Sequence, residues 1–203
     1  MTTIIPDKFA TTPLDYYHEY NAGGITGYKI VNSLTASTLT SRSINASEMQ
    51  AYPFVLPSGA QCDQIAVYVT TLGAPTFLRI GVYQNYSDNN LCPSGLMYDS
   101  GPRPIGATGK ITTAPTGLYL EGGKVYWCAI VTSGNIDLKA VDWSASYSPF
   151  GADDNMSDNL QTGLGYTMNS SLPLIFGENA TPQAQLNLPI AFGMKLTSFL
   201  GYL

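Results

Sequence analysis

A single histidine, three cysteines and fourteen acidic residues bound the chemistry open to this chain of 203 residues. His18 stands among Tyr16, Tyr17 and Tyr20 in a stretch broken by Pro13 and Gly23-Gly24, and no Gly-x-Ser-x-Gly elbow occurs. The parts of a Ser-His-Asp triad are therefore missing, and His18 reads as a surface or packing residue. A glycosidase needs two acids flanking a cleft. Candidates are Asp99, Glu121, Asp137 and Asp142 near strand ends, with Asp153, Asp154 and Asp158 in a Gly- and Asn-rich passage, and their spacing favours no pair. Those last three could offer oxygen ligands to calcium, although Gly151–Asn159 lacks the spacing and closing Glu of an EF-hand loop, and Asx turns are the alternative. No catalytic residue and no cofactor is expected.

Binding chemistry is better represented. The chain has fourteen tyrosines, whose rings can stack on sugar faces while Asn, Asp and Gln reach hydroxyls. Tyr86, Tyr147 and Tyr166 fall in apparent loops and are the candidates for a glycan contact. Tyrosine is equally suited to subunit contacts. Of the cysteines, Cys128 lies inside an apolar run and reads as a buried small hydrophobe, whereas Cys62 and Cys92 leave a disulfide conceivable. Met1-Thr-Thr-Ile-Ile-Pro-Asp-Lys8 lacks the basic end and apolar core of a signal peptide, which points to folding in a reducing cytosol.

Charged residues make up 11% of the chain, against roughly 25% in an average soluble domain. Weak self-repulsion favours association, so a subunit of a larger assembly is expected. Nine basic residues spread from Lys8 to Lys195 in a chain of net charge −5 form no patch in the sequence, which argues against nucleic-acid binding. No run of about 18 apolar residues occurs, so no membrane insertion is expected.

These residues must be positioned by strands. Tyr52, Phe54 and Leu56 alternate before Pro57-Ser-Gly59. Ile65, Val67 and Val69 then line one side of 63–71, and Leu78, Ile80 and Val82 face inward from 76–83 with Phe77, Arg79 and Tyr83 outward. Strand 124–131 is apolar on both faces and should be central. A strand at 136–141 follows, and Ile190, Phe192, Met194 and Leu196 close the pattern. Residues 31–48 should supply one edge strand, 85–95 a long surface loop, and 144–171 the longest loop. The expected fold class is all-β, an antiparallel jelly-roll-like β-sandwich over 31–203, with residues 1–30 as an irregular N-terminal arm used in assembly or attachment. The apolar end, 198–203, should be tucked into the core or between subunits.

One set of motifs is specific enough to suggest kinship. Tyr52-Pro-Phe-Val-Leu-Pro-Ser-Gly59 is followed by Asp63-Gln-Ile-Ala-Val67, Arg79-Ile-Gly-Val-Tyr83, Pro93-Ser-Gly-Leu96 and the Leu120 to Trp127 stretch. Over 49–135 this resembles a recurring type of tailed-bacteriophage virion protein. The resemblance implies a jelly-roll-like sandwich, commonly a homotrimer, displayed on tail fibres, baseplates or capsids, and it supplies no catalytic residues.

The resulting expectation is a non-enzymatic virion surface protein, assembled in the host cytoplasm, most simply a short tail fibre or adhesin subunit. It would touch other virion proteins through residues 1–30 and a host surface glycan through its loops. A capsid decoration protein, of cement or head-fibre type, is the alternative, and a sandwich glycosidase a third reading.

Overall fold

A computed structural model describes residues 19–20, 28–31, 39–56, 58–74, 76–87, 90–141, 163–167, 172–174, 182–186 and 189–198. Fifteen strands and no helix are found among them. They are β1 (Glu19–Tyr20), β2 (Tyr28–Ile30), β3 (Leu39–Ile44), β4 (Glu48–Val55), β5 (Ala60–Leu72), β6 (Thr76–Ser87), β7 (Asn90–Asp99) and β8 (Arg103–Ile105). There follow β9 (Gly109–Thr113), β10 (Leu118–Leu120), β11 (Val125–Thr132), β12 (Ile136–Val141), β13 (Gly163–Thr167), β14 (Pro182–Leu186) and β15 (Gly193–Ser198).

The strands form two antiparallel sheets packed face to face, and their order identifies the fold. One sheet carries β3-β12-β5 with β9 and β10 on the far edge of β5; the other carries β4-β11-β6 with β7 and β8 on the far edge of β6. Along the chain the strands change sheets as a double Greek key, which is a jelly roll. Further strands widen both sheets. The β13–β14 hairpin adds to the free edge of β4, while β15, β2 and β1 extend the first sheet from β5.

β5 is the spine of the first sheet. Residues 60–66 pair with β15 and 69–72 with β12 along one edge, while β10 and β9 share the other. Two β-bulges make this sharing possible. Asp63 is the extra residue opposite Lys195 and Leu196, and Thr70 the extra residue opposite Asp137 and Leu138. A bulge sends neighbouring side chains to the same face, so Asp63 and Gln64 both leave the core.

Two-residue alternation fills the space between the sheets. Ile65, Val67 and Val69 meet Leu78, Ile80 and Val82, with Tyr52, Phe54, Tyr126, Cys128, Ile130, Phe192 and Met194 in the same cluster. Fully burying each large aliphatic or aromatic side chain contributes about 2 kcal/mol, so this layer dominates stability. Pro53 stands within β4, opposite Trp127 of β11.

The faces expected to look outward are not all wet. Met49, Ala51, Tyr83, Trp127, Ala129 and Val131, on the outer face of the second sheet, form their own buried cluster with Leu172. The segment 172–174 is tied there, with Leu96 N donating to Leu174 O at 2.9 Å and the Tyr83 hydroxyl to Pro173 O at 3.0 Å. Tyr83 thus points away from the sandwich, as its alternation requires, yet is fully buried.

The expected loop at 85–95 is instead a hairpin. β6 continues to Ser87 and β7 begins at Asn90. Repeated register shifts accommodate Pro93 and Gly95, residues that read as loop formers in the sequence. Within 144–171, residues 163–167 form β13, and within 1–30, residues 28–30 pair with β15.

Candidate functional site

The sequence candidates do not converge. Tyr86, near the end of β6, is 67% exposed. Tyr166 stands on β13 rather than in a loop, with its Cα opposite Met49, which is opposite Val131, which in turn is opposite Arg79. Tyr86 lies seven residues farther along β6 than Arg79, a separation of about 23 Å at the rise of a strand. The two tyrosines belong to opposite ends of the second sheet. Tyr147 and the calcium candidates Asp153, Asp154 and Asp158 lie outside the described residues, as do His18 and Asp142.

The described carboxylates serve structure. Asp99 accepts from two nitrogens of the Arg79 guanidinium, from Nε to its Oδ1 at 3.2 Å and from Nη2 to its Oδ2, and Oδ1 also accepts from Gly101 N at 2.8 Å. Glu121 pairs with Lys124 at 2.7 Å on the exposed turn before β11. Asp137 accepts from the Ser43 hydroxyl at 2.5 Å. These three acids lie on different surfaces and flank no common cleft, and no metal-binding cluster occurs among the described residues. A further acid that sequence reading passed over is Glu48. The strand period puts it on one face with Gln50 and Tyr52, and a polar chain results: the Tyr52 hydroxyl donates to Gln50 Oε1 at 2.5 Å, and Gln50 Nε2 to Glu48 Oε1 at 2.8 Å.

All three cysteines are free thiols, so the conceivable Cys62–Cys92 bridge is absent. Burial, then the charge of Asp63, pushes the Cys62 thiol up to about 12, and burial holds Cys128 well above its ordinary value of 9.0. The consequence for stability has a definite sign. Above pH 9 the unfolded chain ionises these thiols while the folded one keeps them protonated, so stability is complete below pH 9 and falls as pH rises towards 12. The unfolding free energy from urea denaturation should be flat from pH 6 to 8.5 and then drop by about 1 kcal/mol per pH unit per thiol. Cys128→Val should flatten that slope, and an unchanged slope would contradict the assignment.

The feature that sequence reading missed is the outer face of the first sheet. Lys110 on β9, Lys139 on β12 and Lys195 on β15 are far apart in the chain, and the sheet gathers them around two rings. Lys110 Nζ stands 5.2 Å and Lys195 Nζ 5.1 Å from the centre of the Tyr28 ring, and Lys139 Nζ stands 5.1 Å from that of Tyr68. Tyr68 lies directly opposite Lys110 in the β5–β9 ladder, so the five residues form one strip, Lys139, Tyr68, Lys110, Tyr28, Lys195. Tyr28 is the floor of it, only 2% exposed, packed with Ala66, Val141 and Ala191, and donating its hydroxyl to Gln64 Oε1 at 2.6 Å. The bulge at Asp63 is what turns Gln64 outward to accept that bond. The only signal in the sequence was parity: Tyr68 and Lys139 each fall on the outward phase of their strands.

No protein-family model matches this chain, and no curated protein is found to be similar to it.

Proposed function

We propose that this protein is a non-enzymatic subunit of a tailed-bacteriophage virion surface, a short tail fibre or adhesin component that contributes to host attachment. The observation that carries the reading is the jelly roll itself, with Leu172 packed into a buried cluster on one outer face and the other face presenting an ordered strip of lysines over tyrosines. A rigid scaffold with a polar recognition surface suits adhesion, and the motif resemblance over 49–135 supplies the virion setting. The described acids are engaged in turn and ladder contacts, which weighs against the glycosidase reading. Homotrimerisation, and attachment to other virion proteins through residues 1–30, belong to the same proposal.

The test compares binding of labelled protein to host-like bacterial cells with binding to particles lacking this subunit. Saturable binding to cells is the expected result. Binding to particles alone would replace attachment by capsid decoration.

A further inference from the structure

We propose that the Lys139-Tyr68-Lys110-Tyr28-Lys195 strip binds a carboxylated polysaccharide, an assignment that rests on the attachment reading and gives it a ligand class. Among the described residues Arg79 is paired with Asp99 and Lys124 with Glu121, whereas Lys110, Lys139 and Lys195 have no carboxylate within ion-pair distance. Three unneutralised ammoniums therefore collect on one face of a chain whose net charge is −5. Like charges brought together around shared rings are a cost unless an anion lies over them.

The rings fix the geometry. A quadrupole beneath each ammonium restrains it without neutralising it, which preorganises the site and lowers the entropy lost on binding. Because Tyr28 is buried, it cannot stack on a sugar, and recognition falls to the charges and the hydroxyls beside them. Thr112 lies two residues from Lys110 on the same exposed phase of β9, and Ser41 and Thr70 share a hydrogen bond at 2.5 Å beside Lys139. Two carboxylates share the face, and both are held by hydroxyls: Asp63 accepts from Thr197 at 2.6 Å, and Asp137 from Ser43. They frame the strip and disfavour a polymer charged more densely than one carboxylate per sugar. Only lysines occur in it, with no arginine to grip phosphate in two-point fashion, and three positive charges fall short of the phosphate neutralisation that duplex binding uses. Spaced carboxylates among neutral hydroxyls fit best.

The experiment uses the full chain and polygalacturonate oligomers as probe, with neutral dextran and a DNA duplex as comparisons, at low and at near-physiological salt. Binding to polygalacturonate is expected, weakened several-fold by added salt and reduced about tenfold or more in the triple variant K110Q/K139Q/K195Q. The triple lysine-to-arginine variant should retain it. Melting temperature checks that each variant folds, and if the triple variant melts early the three single glutamine variants carry the comparison. Equal binding by the glutamine variant, no binding by the natural chain, or tighter binding to DNA would each overturn the assignment. Cell binding separates the two proposals. Should the natural chain and the glutamine variant attach to cells equally well, the strip is wrong and attachment stands. Should the natural chain bind polygalacturonate through its lysines and ignore cells, the strip is right and attachment fails.

Discussion

Replacing Trp127 by Ala is expected to cost about 4 kcal/mol, roughly a quarter or more of the stability of an ordinary domain. The residue sits on β11 facing away from the sandwich, where a two-layer fold would ordinarily meet water. Here it is fully buried among Met49, Tyr83, Ala129 and Leu172. Truncation leaves a cavity between the second sheet and the segment that covers it, and neither wall is free to collapse, since one is a hydrogen-bonded ladder. The indole also donates from Nε1 to Asn85 Oδ1 at 2.9 Å, an oxygen that accepts from Cys92 N at 3.1 Å as well. Asn85 keeps one partner when the indole is removed, so the polar part of the loss is modest and the cavity dominates. For a chain of this size the melting temperature should fall by about 8–16 °C. Trp127→Phe keeps most of the apolar contact and should recover more than half of the difference. If Trp127→Ala shifted the melting point by less than about 2 °C, the outer cluster would not be a packed layer.

That layer also shows where sequence reading reaches its limit. Alternation in 63–71, 76–83 and 124–131 placed Ile65, Val67, Val69, Leu78, Ile80 and Val82 correctly, and all six are buried between the sheets. Period two reports which face a side chain takes, because successive Cβ atoms point to opposite sides. It does not report whether another segment covers that face, so Tyr83 was legible as outward and illegible as buried. The apolar character of both faces of 124–131 was the one hint that a second cover existed.

Short strands failed for a different reason. β8, β9 and β10 have three to five residues each and contain or adjoin Pro104, Gly109 and Gly117, so their periodicity is too brief to stand out from turn chemistry. Their place is fixed by long-range pairing to β5 and β6, a tertiary effect that local propensity does not encode. The lysine strip was hidden in the same way. Lys110 and Lys195 are 85 positions apart in the chain. They meet at one ring only because β9 and β15 flank opposite edges of β5.

The second large effect is expected at Gly122, in the turn Glu121-Gly-Gly-Lys124 that leads into β11. A Cβ there would stand 2.6 Å from Ser58 Cα, 2.8 Å from Ser58 C and 2.9 Å from Gly59 N. All three are backbone atoms, so no rotamer change relieves the clash, and the turn must separate from the one joining β4 to β5. Separation breaks the bond from Gly123 N to Leu56 O at 2.8 Å and strains that from Glu121 N to the Tyr126 hydroxyl at 2.9 Å. Overpacking and a lost hydrogen bond together give about 3 kcal/mol for Gly122→Ala. The neighbouring glycine provides the control. Gly123 has φ of 75°, with nothing within 4 Å of an added Cβ, so Gly123→Ala meets only the left-handed backbone penalty of about 1 kcal/mol. Urea denaturation should therefore rank natural chain, Gly123→Ala and Gly122→Ala in falling stability. A reversed order would mean that the glycine pair is present for backbone conformation alone, and that the two turns at this end of the jelly roll are not in contact.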